Sequence, residues 1–227
     1  MTFDHAGYVF FDQLSDPVRC IFFLCGGITF LTMAYLLTEG YRYTHDVRKY
    51  ALRLFVFALV SQIPFQLFLA HELNVMFTLL IGLGILYADD HMENRIAFAG
   101  IFAGGLVLSI LCDWGVLGPF AVLLFKRWKN RPYGRWLPCF IIALINAASM
   151  VAVLSQPQNY DAAMAAVALP QLFYSAGNAL TGWLLHCYNG ARGRSMKWFF
   201  YVYYPAHILV LGCAYLVVFG QMPPVLL

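Results

Sequence analysis

Residues 20–38 read CIFFLCGGITFLTMAYLLT, a run without one charged side chain. As an α-helix it rises 1.5 Å per residue and extends about 28 Å, close to the hydrocarbon thickness of a bilayer. A strand reading fails on two counts. The run has no period-2 alternation, and an unpaired strand leaves its backbone polar groups unsatisfied in lipid. The same kind of run recurs along the chain. Taking the first as 18–38, others lie near 50–70, 73–88, 95–111, 115–128, 136–154, 161–186 and 197–219. The stretch 3–14 (FDHAGYVFFDQL) is a ninth candidate, too short to span. Segment 115–128 is also short, and Pro170 predicts a kink in 161–186. The expected fold is all-α: a polytopic transmembrane helix bundle of about eight or nine membrane segments. With no long linker, low-complexity tract or clear repeat, residues 1–227 form one integral membrane domain in this reading.

Composition agrees. Apolar residues make up 62% and charged residues 11% of the chain, against about 25% charged in soluble domains. Aromatics reach 17%, which suits interfacial belts and packed helices. A net charge of +3 gives no reason to expect nucleic acid as a partner. The six cysteines form no CxxC pair and sit mostly in apolar runs, so they read as small buried hydrophobes and no metal site is expected. The start, Met1 to His5, lacks the basic region of a cleavable signal peptide.

All the Lys and Arg residues except Arg19 fall in four alternate connections. These hold Arg42, Arg48, Lys49 and Arg53; Arg95; Lys126, Arg127, Lys129, Arg131 and Arg135; and Arg192, Arg194 and Lys197. The intervening connections, near 70–74, 112–115 and 155–160, are short and nearly free of them. By the positive-inside rule the basic loops face the cytoplasm. That places the protein in a bacterial-type inner membrane, with the N-terminus inside and the C-terminus outside. Segment 115–128 must then cross despite its length.

Ionisable residues in apolar segments are costly and are default site candidates. Asp4-His5 opens the chain before an aromatic run. An imidazole is a natural base near neutral pH, yet a solvated terminus is the plainer reading. Adjacent helical residues point about 100° apart, so Asp4 is not expected to orient His5 directly. Glu39-Gly40-Tyr41-Arg42 ends the first long segment, with Arg53 in reach after the turn. It is either a helix-end ion pair or an anion site. Cys112-Asp113-Trp114-Gly115 is a turn on the side away from the basic loops, where Asp113 could cap the next helix or bind an acceptor. Tyr204, Pro205 and His207 lie near the middle of the last segment, where proline removes one backbone donor. Gln62, Asn74, Thr78 and Asn178 read as interhelical hydrogen-bonding groups. Asn189-Gly190 reads as a helix cap or tight turn.

Taken in order, the motifs resemble the TraX family. They are T-x-D-H (Thr2 to His5), E-G-Y-R-x-T (Glu39 to Thr44), L-R-L (Leu52 to Leu54), S-Q-I-P-F (Ser61 to Phe65), L-N-x-x-F-T (Leu73 to Thr78), C-D-W-G (Cys112 to Gly115), Y-N-G-x-R-G (Tyr188 to Gly193) and Y-x-x-Y-P-x-H (Tyr201 to His207). Each is weak alone, but eight in order cover essentially the whole chain. The family is named for a protein that acetylates the N-terminus of pilin. It is similar to the wider membrane acyltransferases, which pass an acyl group from cytoplasmic acyl-CoA to an exported acceptor. The resemblance implies acetyl-CoA as donor and an exported peptide, glycan or lipid as acceptor. It implies His5 as general base beside Asp4, with His207 and Tyr204 lining the same cavity. Arg42, Arg53, Glu39 and Tyr41 would serve the donor, and Asp113, Trp114, Asn74 and Gln62 the acceptor. Two departures stand out. Family members usually carry about ten more apolar residues ahead of Asp-His, so either this start lies downstream of the natural one or the first helix is a half-span. They also commonly carry Gly-Arg-x-Ala-x-Pro where this chain reads Gly26-Gly27-Ile28-Thr29-Phe30-Leu31. The competing expectations are a transporter or flippase of a small polar or lipid-linked solute, using Pro170 and Pro205 as helix breaks, and a non-catalytic membrane assembly factor.

Overall fold

The computed structural model describes residues 1–155, 162–191 and 196–224, and only the backbone of residues 162–166 and 197. It is an all-helical bundle. In chain order the helices are α1 (Thr2–Val9), α2 (Asp16–Tyr43), α3 (Val47–Phe68), α4 (Val75–His91), α5 (Arg95–Ser109), α6 (Leu117–Trp128), α7 (Leu137–Leu154), α8 (Ala162–Cys187) and α9 (Lys197–Phe219), with one 3-10 turn at Phe11–Gln13. Local sequence sets many of the boundaries. Pro17 stands in the first turn of α2, where a missing N–H costs nothing. Asp46, Asn74 and Asn94 each accept a backbone N–H at the start of the helix they precede. Gly220 ends α9 in the left-handed conformation, φ 66°. Among the described residues there is no strand, and a single bridge joins Leu73 to Cys112. Helices α3, α8 and α9 run on through Pro64, Pro170 and Pro205.

Four helices are long and apolar enough to cross a membrane: Asp16–Tyr43, Val47–Phe68, Leu137–Leu154 and Trp198–Phe219. Large apolar side chains lie bare on the outside of the bundle, among them Ile63, Val107, Leu144 and Val217. Water does not tolerate so extensive an apolar surface, and this is a membrane protein. Helix α6, only 12 residues long, does not reach the length of a span by itself. The turn ahead of it makes up the difference. Asp113 N–H donates to Leu73 O at 2.7 Å and Leu73 N–H to Leu111 O at 2.9 Å, beside the start of α4. At the other end Lys126 reaches Leu86 O (2.8 Å), Asp89 (3.1 Å) and Asp90 (2.6 Å), at the end of α4. The turn and α6 together therefore run alongside the whole of α4. Lys126, Arg127, Arg135 and Lys129 gather at one end of the bundle with the ends of α2, α4 and α8. Arg192 and Arg194, and the connection expected near 155–160, lie outside the described residues.

The core holds Phe30, Leu31, Ala34, Leu54, Ala58, Leu83, Leu86, Val122, Phe125, Ile142, Tyr204 and Ile208. Its tightest crossing is between α2 and α8. A Cβ on Gly27 would lie 2.1 Å from Tyr174 O, and one on Gly177 would lie 2.1 Å from Leu24 O. Small residues let the two backbones touch, as in other membrane helix pairs. The crossing also accounts for one departure from the family pattern, because an arginine at position 27 has no room in this packing. Helix α1 does not cross. Met1 donates to Thr29 Oγ1 at 2.6 Å, half-way along α2, which fastens α1 against α2.

Candidate functional site

Helix α1 packs on α2 and α9 because glycine clears its path. A Cβ on Gly26 would fall 2.2 Å from Asp4 Oδ1, so only glycine at 26 admits that carboxyl. One helical turn brings Asp4 and His5 to a cavity of about 20 Å³, also bordered by Thr29, Asp113, Trp114, Tyr174 and Tyr204. That is room for about one water-sized group. Five elements far apart in sequence thus meet at one point.

His5 and His207, both buried, face each other. Nδ1 of His5 lies 2.8 Å from Nε2 of His207, and the ring planes differ by 10°. Nδ1 of His207 lies 2.8 Å from Tyr203 O. A carbonyl only accepts, so that nitrogen carries the hydrogen. In the neutral pair, Nε2 of His207 is then the acceptor and His5 Nδ1–H the donor. Nε2 of His5 is left with a free lone pair. As expected from helix geometry, Asp4 does not orient this ring; His207 does.

Two polar atoms at the cavity have no hydrogen-bond partner among the described residues: Asp4 Oδ1 and the Tyr204 hydroxyl. Each buried unsatisfied group costs about 1–3 kcal/mol. Native structures retain such groups chiefly where they have a task. The wall opposite α1 is a strained turn. Trp114 has φ 71°, a left-handed conformation unusual for a bulky residue, followed by Gly115 at φ 40°. Thr78 Oγ1 donates to Asp113 O and holds the turn. The strain aims the indole inward, where it stacks on Phe30 with centroids 4.1 Å apart and lies 5.9 Å from Tyr174. Asp113 does not cap α6, which has no side-chain cap. Its carboxyl borders the cavity instead.

Other site candidates from the sequence lie elsewhere. Gln62 donates to Glu72 O and accepts from Asn74, whose amide also donates to Ala58 O and whose Oδ1 caps α4. These two residues brace α3 against α4 and do not border the cavity. Asn178 is buried, but neither side-chain amide atom is bonded among the described residues, contrary to the interhelical bond expected. Asn189 Oδ1 accepts from Ala191 N–H, and Gly190 has φ 79°, which makes the tight turn expected there. The four donor-side candidates separate. Glu39 pairs with Lys129 at 3.2 Å, not with Arg42 or Arg53. Tyr41 lies beside Lys126. Arg42 and Glu39 line a second cavity at the basic end. Arg53 stands against Tyr50 and Tyr201 instead. Thr29 and Tyr174 were missed, because nothing in their own sequence context distinguishes them from core positions.

The architecture defines a helical membrane protein with a polar cavity enclosed in its core and a basic end to the bundle. The chain belongs to the TraX protein family, which matches it over residues 1–215. It is also similar to the probable fimbrial assembly protein FimC, serogroup H1, of Dichelobacter nodosus. The two are 25% identical over 230 residues, covering 94% of this chain and 90% of that protein. No solved structure matches the chain.

Proposed function

We propose that this protein is a membrane acyltransferase that moves an acetyl group from acetyl-CoA to an amine of an exported or surface acceptor. The observation that carries the reading is the His5–His207 pair, which leaves one imidazole nitrogen as a free base beside a small polar cavity. His5 Nε2 takes a proton from the acceptor nitrogen as the new C–N bond forms. It returns that proton to the departing thiolate as the thioester C–S bond breaks. Tyr204, with an uncommitted hydroxyl, is the donor available to the developing oxyanion. A cavity of about 20 Å³ suits a small acyl group better than a long chain. Asp4 and Asp113 border it with one cation, the Met1 ammonium, and no lysine or arginine, and Trp114, Phe30 and Tyr174 offer aromatic faces. Such a lining favours a primary ammonium over a neutral hydroxyl. The ammonium has no lone pair, so on entry it gives one proton to the Asp4 or Asp113 carboxylate, and the neutral amine that remains attacks with His5 as the base.

Arg53 suits the donor's phosphates better than Arg42 does. At 100° per residue, Gly40 lies on the same face of α2 as Thr29 and Met33, and Tyr50, whose ring lies 5.7 Å from the Arg53 guanidinium, packs on Gly40. The basic end faces the cytoplasm in this reading, where acyl-CoA is held. The name of the FimC relative points to pilus assembly, and a pilus subunit is the acceptor class it favours.

The test is transfer of labelled acetyl from acetyl-CoA to an amine-bearing peptide by the protein in nanodiscs. The expected result is an acetamide product that His5→Ala abolishes. Absence of product from the parent protein, or equal rates for parent and His5→Ala, overturns the proposal. Retained support of pilus assembly by His5→Ala would point to a non-catalytic assembly role.

A further inference from the structure

A second cavity, of about 150 Å³, opens at the basic end of the bundle. Its floor is Tyr35 and Phe125, both buried and 5.6 Å apart in an edge-to-face contact. Its rim carries Arg42 from α2, with Lys129 and Arg135 from the connection between α6 and α7. It shares no lining residue with the His5 cavity. The two also lie on roughly opposite faces of α2. Thr29, Phe30 and Met33 fall on one side at 100° per residue, and Tyr35, Glu39 and Arg42 on the other. A ligand seated here is therefore outside the acyl-transfer site.

Among the described residues, three cations meet one carboxylate there, and that carboxylate is already taken. Glu39 pairs with Lys129 at 3.2 Å, and neither Arg42 nor Arg135 has a carboxylate partner among the described residues. Arg135 is nevertheless fixed in place. Its Nη1 donates to Tyr188 O at 2.5 Å, and its guanidinium lies 5.8 Å from the Tyr188 ring. The other nitrogen, Nη2, is the nearest atom to the open side of Gly190, where even an added Cβ would stop 4.0 Å short of it. Gly190 has φ 79°, so few other residues fit there. One guanidinium edge is tied to Tyr188 O and the group also meets the Tyr35 hydroxyl on the cavity floor, while Arg42, held 5.0 Å from the Tyr43 ring, shares the cavity without a carboxylate partner. This arrangement matches the several oxygens of a phosphate group.

We propose that this cavity is a phosphate-group site, distinct from the acyl-transfer site, with Arg42 and Arg135 as the principal ligands and Lys129 beside them. Its chemistry fits the headgroup of an anionic lipid at the membrane edge or a soluble phosphate compound. The experiment separates the two sources. Protein purified in a phosphate-free maltoside detergent is titrated with pyrophosphate and, separately, with phosphatidylglycerol, and binding is read by calorimetry and native mass spectrometry. At least one probe is expected to bind one-to-one and to weaken as salt is raised. Arg42→Gln/Arg135→Gln should weaken it by about tenfold or more, and His5→Ala should leave it unchanged. Saturation by phosphatidylglycerol alone identifies a lipid headgroup; saturation by pyrophosphate identifies a soluble ligand. Arg42 is exposed, so Arg42→Glu keeps the fold and must also weaken binding should the double variant not fold. Binding of neither probe, or equal binding by parent and Arg42→Glu, overturns the proposal.

Discussion

The two cavities flank α2 and are built in opposite ways. The His5 cavity is over-determined. It depends on a glycine that admits Asp4, a backbone-to-backbone crossing with α8, a strained turn at Trp114, and a histidine held by a second histidine. The basic cavity is more lightly built, from loop residues and long side chains around two buried aromatic rings. Rigid packing suits reacting atoms, whose placement matters to a fraction of an ångström. Charge attraction over a wider cup suits a phosphate group, which needs less exact placement. The difference also says where mutations should act: on fold and chemistry together at the first cavity, and on binding alone at the second.

The largest effect is expected at the crossing behind both cavities. Gly27→Ala would put a Cβ 2.1 Å from the Tyr174 carbonyl oxygen, a backbone atom that cannot rotate away. The helices must separate, at about 3 kcal/mol or more, the upper part of the range for overpacked cores. Thermal unfolding in detergent should show a marked drop; an unchanged midpoint would mean that α2 and α8 do not touch there. Next comes His5→Ala, which should lower acetyl transfer by about 10²–10⁴-fold, as loss of a general base does, and lower the unfolding midpoint by less than Gly27→Ala does, because buried His207 Nε2 loses its donor. His207→Leu removes both the acceptor of the His5 bond and the donor to Tyr203 O. Transfer should fall by about 10²-fold through misplacement of the ring, and His207→Gln, which keeps an acceptor oxygen, should recover part of it. If Leu and Gln behave alike, His207 does not position His5.

How much of this was legible in the sequence varies by kind of signal. The helices were, because apolar runs of 15 to 28 residues whose charges stand only near their ends have few alternatives. The short segment near 115–128 looked anomalous for a physical reason: part of its reach is a strained turn, and hydropathy does not see turns. Asp4, His5, Tyr204 and His207 could be nominated, since ionisable and polar groups in apolar runs stand out. Their meeting could not be derived, because residues 202 apart in sequence come together only through the packing of α1 on α9. Asn74 and Gln62 were nominated by the same rule and proved to be bonded to each other. The rule detects polar groups in apolar surroundings, not whether a neighbour already satisfies them. Lys129 and Arg135 were counted for topology alone, because a basic loop is what any inner-facing connection shows.

The smallest effect is expected where polar groups only join helices. Asn74→Ala removes the bonds to Ala58 O and Gln62 and the cap on α4. A bond between membrane helices contributes about 0.6 kcal/mol on average and at most about 1.7, and a helix cap contributes about 1. The loss should therefore stay near 2 kcal/mol, with acetyl transfer by the remaining folded protein close to that of the parent. If transfer instead collapses while the midpoint barely moves, Asn74 acts on the reaction. The boundary between the reacting cavity and the brace between α3 and α4 would then have to move outward to include it.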